Sequence, residues 1–174
     1  MRKLKITELN RLSKEEFKTV EKIPLIVVLD NVRSLHNVGS VFRTSDAFLL
    51  KAVYLCGITA TPPHPEIHKT ALGAEDTVAW SYFEYTTEAV KHLKSHGYTV
   101  WAVEQAQGSI SLQDFKWDRA QKLAVVFGNE VKGVEQEVID ICMGCIEIPQ
   151  FGTKHSLNVS VAAGVVIYEL GIKN

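Results

Sequence analysis

Residues 145–170 read CIEIPQFGTKHSLNVSVAAGVVIYEL, and the way this run divides decides the fold. A short β-rich segment, Cys145–Ile148, stops at Pro149, and a polar loop over residues 150–155 carries Gly152. From Ser156-Leu157-Asn158 the chain turns strongly apolar as far as Leu170. That spacing predicts a helix whose first turn Ser156 or Asn158 can cap by accepting backbone N–H bonds. Val161, Val165 and Tyr168 fall on one stripe, with Val159, Ala162, Val166 and Leu170 beside it. A helix apolar nearly all round is expected to be buried on most sides. Ala162, Ala163 and Gly164 leave little side chain mid-helix, so another backbone can approach closely. The run is too short to span a bilayer.

Upstream, the same alternation repeats. Pro24 introduces LIVVLD (25–30), a continuous apolar run suited to a buried parallel strand. A helical pattern follows from Gly39 to Leu50, then a strand over Ala52–Cys56. The next stretch, residues 58–76, holds three prolines and two histidines and reads as a long loop, a kind that usually carries function or motion. A short strand over Tyr82–Tyr85 leads to a helix capped by Thr86 or Thr87 and ended by Gly97. Strands over Tyr98–Glu104 and Lys122–Phe127, a glycine turn at 128–133 and a short helix to Cys142 complete the approach to the last strand and helix. Strands alternating with helices predict an α/β fold, a mostly parallel sheet with helices on both faces. Residues 7–20 predict one thin amphipathic helix, so residues 1–22 are expected to form a helical appendage to a single domain over 23–174.

The chain has 174 residues, enough for one domain with a sizeable core. A net charge of −1 argues against a general polyanion binder while leaving room for a local basic patch. Neither a leader nor a membrane span is expected, and the cytoplasm is the default location. Cys56, Cys142 and Cys145 do not form a secreted disulfide framework. Cys142-x-x-Cys145 has no second pair to complete a zinc set, so a helix end running into a buried strand is expected there, and no metal.

In open α/β sheets ligands bind beyond the carboxyl ends of the strands, which draws attention to polar residues that follow strands. After the first strand comes Asn37-Val38-Gly39-Ser40-Val41-Phe42-Arg43. Asn37 is placed to cap a helix, Gly39 allows close packing, and Arg43 is expected near enough to the same face to share a site with Asn37. The guanidinium fork suits phosphate. The second constellation, Gly128-Asn129-Glu130-Val131-Lys132-Gly133, spaces its glycines like a phosphate loop. The Lys-Ser/Thr continuation is missing and Glu130 would repel phosphate, so both count against an ATP-type loop and a nucleotide-phosphate enzyme built on it. The third is Ser156 and Asn158. His36 and His155 flank two of these stretches and could contact a substrate, although a plain polar loop residue is the expectation for each.

IPQFGTKHSLNVSVAAGVVIYE resembles the third motif of SpoU-type (TrmH-like) RNA 2′-O-ribose methyltransferases of the SPOUT superfamily. LDNVRSLHNVGSVFRTSDAF resembles the first motif and FGNExxG, here Phe127–Gly133, the second. The resemblance implies a deep trefoil knot in the C-terminal half, built from the segments around 128–133 and 149–158, and a homodimer. It implies S-adenosylmethionine held in the knot loops largely by backbone groups, here Glu104, Gly128, Ile148 and Leu157, with Asn129 and Pro149 nearby. It implies that Arg43 is the catalytic arginine, with Asn37, Glu130, Ser156 and Asn158 orienting it and the ribose. A guanidinium pKa of about 12.5–13.8 makes a neutral arginine base scarce. The expected role is therefore to stabilise the developing alkoxide and grip an adjacent phosphate.

The implied substrate is RNA, which the 2′-OH distinguishes from DNA. HKTALGAED also resembles relatives associated with tRNA ribose methylation, so tRNA is the favoured substrate. Ribosomal RNA is one alternative; a non-catalytic RNA-binding homodimer is another, and the presence of Arg43, Glu130, Ser156 and Asn158 counts against it. No separate RNA-capturing domain is expected. Lys51, Lys69, Arg33, Arg43, Lys132 and Lys154 are candidates for a basic patch.

Overall fold

In a computed structural model that describes residues 1–172, Ile23–Asp30 forms the central strand, β1. It pairs on one side with β2 (Leu50–Cys56) and on the other with β6 (Leu123–Phe127), both parallel to it. The apolar run is explained by burial on both faces. Leu25, Val27, Leu29, Leu123, Val125 and Phe127 enter one core, while Ile26, Val28, Ala124 and Val126 enter the other. Outward from this centre lie β3 (Trp80–Phe83), β4 (Thr99–Val103), β7 (Cys145–Glu147) and β5 (Ile110–Ser111). The sheet order is β3-β2-β1-β6-β4-β7-β5, and every pairing among the described residues is parallel.

Helices cover both faces. On one lie α1 (Lys14–Thr19), α2 (Leu35–Ala47), α3 (Pro65–Ala71) and α6 (Val159–Ile172), through Phe17, Phe42, Ile67 and Ile167. On the other lie α4 (Thr86–Ser95) and α5 (Gln136–Ile141), through Leu93 and Val138.

Several local expectations are corrected. The helix expected over 7–20 is a 3-10 turn, Ile6–Glu8, and the six-residue α1, because Ser13 and Glu16 form a capping box that starts the helix late. The stretch 58–76 is not a plain loop. Pro65 opens α3 at a position where its missing N–H costs nothing, and the His64 ring accepts the Glu66 N–H. Packing of α3 against α2 demands Gly39, since a Cβ there would stand 2.2 Å from the Ile67 carbonyl oxygen. α2 begins four residues earlier than expected. Ser34, not Asn37, caps it by accepting the Asn37 N–H, which frees the Asn37 amide. Thr86 likewise does not cap α4; its hydroxyl donates to buried Asp30 at 2.6 Å. Finally, α6 is not buried all round. Val159, Ala163, Val166, Ile167 and Leu170 face the core, whereas Val161, Val165, Tyr168 and Ile172 are exposed at 52, 40, 50 and 55%.

Candidate active site

The carboxyl ends of β4, β6 and β7 open on one cavity of about 310 Å³. Its wall comprises Glu104 after β4, Gly128–Gly133 after β6, Ile148 after β7, and His155–Leu157 before α6. Local chemistry fixes each segment. The side-chain oxygen of Asn129 accepts the N–H groups of Val131 and Lys132 at 2.9 and 2.8 Å. Asn129 and Gly133 also exchange backbone bonds at 3.2 and 3.0 Å, which closes the turn. Glu104 accepts the Gln105 N–H at 2.9 Å and the Val134 N–H at 3.1 Å, tying the end of β4 to that turn. The Gln105 side chain donates to the His155 carbonyl at 2.8 Å, so the loop before α6 is pinned over the cavity.

Glu130 is where the motif segments meet. Its carboxylate accepts the N–H groups of Arg33 and Ser34 at 3.3 and 3.2 Å and the Asn37 amide at 3.1 Å. The Asn37 carbonyl in turn accepts the Asn158 amide at 3.1 Å. The Asn158 side-chain oxygen caps α6, accepting the Ser160 N–H at 2.9 Å. Partial burial pushes the Glu130 carboxyl up, but hydrogen bonds from its own N–H, Asn37, Arg33 and Ser34 outweigh that and hold it below its ordinary value. The group therefore stays an anion that accepts bonds, fixing the Asn37 amide with its N–H₂ toward Glu130 and its oxygen toward Asn158.

Of the residues singled out in the sequence, Glu104, Gly128, Asn129, Glu130, Ile148, Ser156 and Leu157 all line the cavity. Pro149 sits between lining residues Ile148 and Gln150, and Asn37 and Asn158 stand behind Glu130. Arg43 does not join them. Six residues along a helix turn it about 240°, so Arg43 points some 120° away from Asn37. It is exposed on α2 and is not part of the cavity wall. The expected basic patch is also divided: Lys132 lines the cavity, Lys69 pairs with Glu66 at 2.6 Å, and Lys51 lies at the amino-terminal start of β2, at the opposite end of the sheet. His36 bonds Glu66 at 3.0 Å. Gln105, Ser34 and Gln150 were not singled out. Ser34 carries a readable signal, a serine three residues before Asn37 at a helix start, and Gln105 and Gln150 carry only the general one of polar residues that follow a strand.

Burial pushes the Cys56 and Cys142 thiols up to about 12 and raises Cys145 as well, so these sulfurs are protonated core groups. Among the described residues no group of histidines, cysteines and carboxylates is placed to hold a metal, and no helix is long and apolar enough to cross a membrane.

This arrangement, a parallel sheet with a cavity at its carboxyl edge walled by three separated loops, coincides with a known family. The profile of the SpoU rRNA Methylase family matches residues 24–168, and the chain belongs to that family of S-adenosylmethionine-dependent RNA 2′-O-methyltransferases. The tRNA (guanosine(18)-2′-O)-methyltransferase of Thermus thermophilus is 32% identical over 163 residues, which cover 94% of this chain and 82% of that relative. The 23S rRNA (guanosine-2′-O-)-methyltransferase RlmB of Vibrio vulnificus is 30% identical over 162 residues, covering 93% of this chain and 64% of that one. An S-adenosylmethionine-bound rRNA methyltransferase structure from Sinorhizobium meliloti superposes with a TM-score of 0.79 at 25% identity, over 88% of this chain and 58% of the other. Likeness to SPOUT structures carries the trefoil knot with it.

The cavity suits that cofactor. Phe127, Ile148, Leu157, Val159 and Ala162 give it an apolar wall, and Glu104, Glu130 and Glu147 outnumber Lys132 in its lining, a balance of charge that suits a sulfonium. The loop residues present backbone groups for the remaining polar atoms.

Proposed function

We propose that this protein is a homodimeric tRNA ribose 2′-O-methyltransferase. The observation that carries the reading is the chain of hydrogen bonds Asn158–Asn37–Glu130, which joins three segments distant in sequence beside the cavity. S-adenosylmethionine, when bound, supplies an electrophilic methyl group. Glu104, Gly128, Asn129, Ile148, Pro149 and Leu157 hold it. The work of the remaining residues is on the ribose. Asn37 and Asn158, locked by Glu130, and the Ser156 hydroxyl orient the 2′-oxygen toward the cavity. Arg43 donates hydrogen bonds to that oxygen as its proton passes to solvent water and to an adjacent phosphate, which stabilises the alkoxide where charge develops.

Two features support the dimer. The stripe Val161, Val165, Tyr168 and Ile172 is apolar and exposed. Arg43 lies outside its own subunit's cavity wall, so we assign it to the cavity of a second subunit packed on that stripe. tRNA is favoured because HKTALGAED, residues 68–76, resembles relatives associated with tRNA ribose methylation, and the Thermus tRNA enzyme is among the relatives at 32% identity. The test is transfer of labelled methyl from S-adenosylmethionine to unmodified tRNA and to 23S rRNA transcripts, followed by mapping of the modified ribose. Label in tRNA is expected; label in rRNA alone would overturn the substrate, and label in neither would overturn the activity.

A further inference from the structure

The loop that closes the cavity carries one side chain that nothing in the site explains. Phe151 is 97% exposed, next to Gln150, which lines the cavity, and four residues before His155, which also lines it. Its own ring is not part of the wall. Four residues on, the same loop is tied back by Gln105, which donates to the His155 carbonyl at 2.8 Å. Gly152 follows Phe151 with nothing within 4 Å of where a Cβ would be, so the tip stands clear of the rest of the chain. An exposed phenyl ring beside the cavity mouth offers a flat apolar face on which a ligand ring can lie.

The reaction calls for such a ring. A ribose that reaches into a cavity at the strand ends must leave its helical stack, and its base then loses both neighbours. Single-stranded RNA is commonly recognised by stacking splayed-out bases on aromatic side chains. The phenyl ring in the cavity wall, Phe127, is only 2% exposed and is taken up by the core, and the exposed His155 imidazole there presents a smaller face than Phe151. Lys154, exposed on the same loop, can meet the phosphate that accompanies the base.

We propose that Phe151 is the stacking platform for the base of the nucleotide being methylated. The proposal rests on the RNA-methylating reading above and adds a residue that sets RNA affinity and target geometry. The ligand class is an unstacked nucleobase in single-stranded or looped RNA. The flat ring tolerates any base and favours purines through their larger faces.

The test uses the full-length protein with unmodified tRNA transcripts. Phe151→Ala should raise KM for RNA about ten-fold, and Phe151→Tyr should restore it to within about two-fold, the scale of one base–aromatic stack. Phe151→Leu, equally apolar but without a flat ring, should not restore it. Affinity for S-adenosylmethionine and molecular mass in solution should be unchanged in all three. In Phe151→Trp, added tRNA should quench emission beyond the change seen from the three native tryptophans. Rescue by leucine, loss of cofactor affinity or of the oligomer in Phe151→Ala, or an unquenched Trp signal would each overturn the proposal. Absence of methyl transfer by the unaltered protein would instead overturn the proposed function, and the quenching measurement would still decide whether Phe151 stacks on RNA.

Discussion

Replacing Gly128 with alanine puts a methyl group where the chain already runs. The added Cβ would lie 1.9 Å from the Gly133 carbonyl carbon, 2.0 Å from the Val134 nitrogen and 2.2 Å from the Gly133 oxygen. Ordinary carbon contacts are about 3.5–4.0 Å, so one side of the turn must move by roughly 1.5 Å or more. All the obstructing atoms are backbone, and no rotamer change relieves them. Moving Gly133 breaks the 3.2 and 3.0 Å bonds it shares with Asn129, and moving Val134 pulls on the 3.1 Å bond to Glu104. Overpacking costs about 1–3 kcal/mol, and a clash with fixed backbone belongs at the upper end. At about 2–4 °C per kcal/mol for a chain of this size, Gly128→Ala should melt roughly 5–10 °C below the unaltered protein. Calorimetric titration should also show weakened S-adenosylmethionine binding, since Gly128–Gly133 is cavity wall. Gly152→Ala is the control. Nothing lies within 4 Å of its Cβ, and its stability should shift by no more than about 0.5 kcal/mol. If Gly128→Ala melts with the unaltered protein and binds the cofactor equally well, the account of the turn is wrong.

Other perturbations test the neighbouring contacts. Asn37→Asp sets a second carboxylate against Glu130, where the amide now donates at 3.1 Å, so one of the two must take up a proton. Its methyl-transfer rate relative to the unaltered protein should rise as pH falls from about 8 to 6, in the direction of carboxylate protonation; a flat ratio would refute the contact. Glu130 has a folded-state pKa below its ordinary value, so its stabilising contribution is present above the unfolded carboxylate range and lost as pH falls through the lower folded value. Denaturation of Glu130→Gln should accordingly show a constant deficit above roughly pH 5 that shrinks below about pH 4; a deficit growing toward acid would contradict this. Mixed dimers pairing an Arg43→Ala subunit with an Asn158→Ala subunit should regain one working site if Arg43 serves its partner's cavity. Activity no greater than that of either parent dimer would place Arg43 in its own subunit's site instead.

The central strand was legible because LIVVLD is buried on both faces, and a run of that kind has few other uses. The cavity wall was legible because Gly128, Glu130, Ser156 and Leu157 sit in the short segments that follow strands, where topology sends ligands. Angular detail was not. Arg43 and Asn37 share a helix, and only its start at Leu35, together with the helical phase, shows that they point apart. α3 stayed hidden behind Pro62, Pro63 and Pro65, because a proline that ends a helix and one that begins it look alike without the cap at His64. The exposed stripe of α6 is a related case: sequence shows that a face is apolar, but not whether the same chain covers it.

The bonded trio of Asn37, Glu130 and Asn158 has a consequence for how activity arises in the life of a molecule. Each member comes from a different pass of the chain, and the last arrives only with the segment that must be threaded to tie the knot. A molecule with a finished sheet but an unthreaded tail lacks the Asn158 amide that turns Asn37 into place. If the trio orients the ribose as proposed, competence is all-or-none, and the population's specific activity counts its correctly tied molecules.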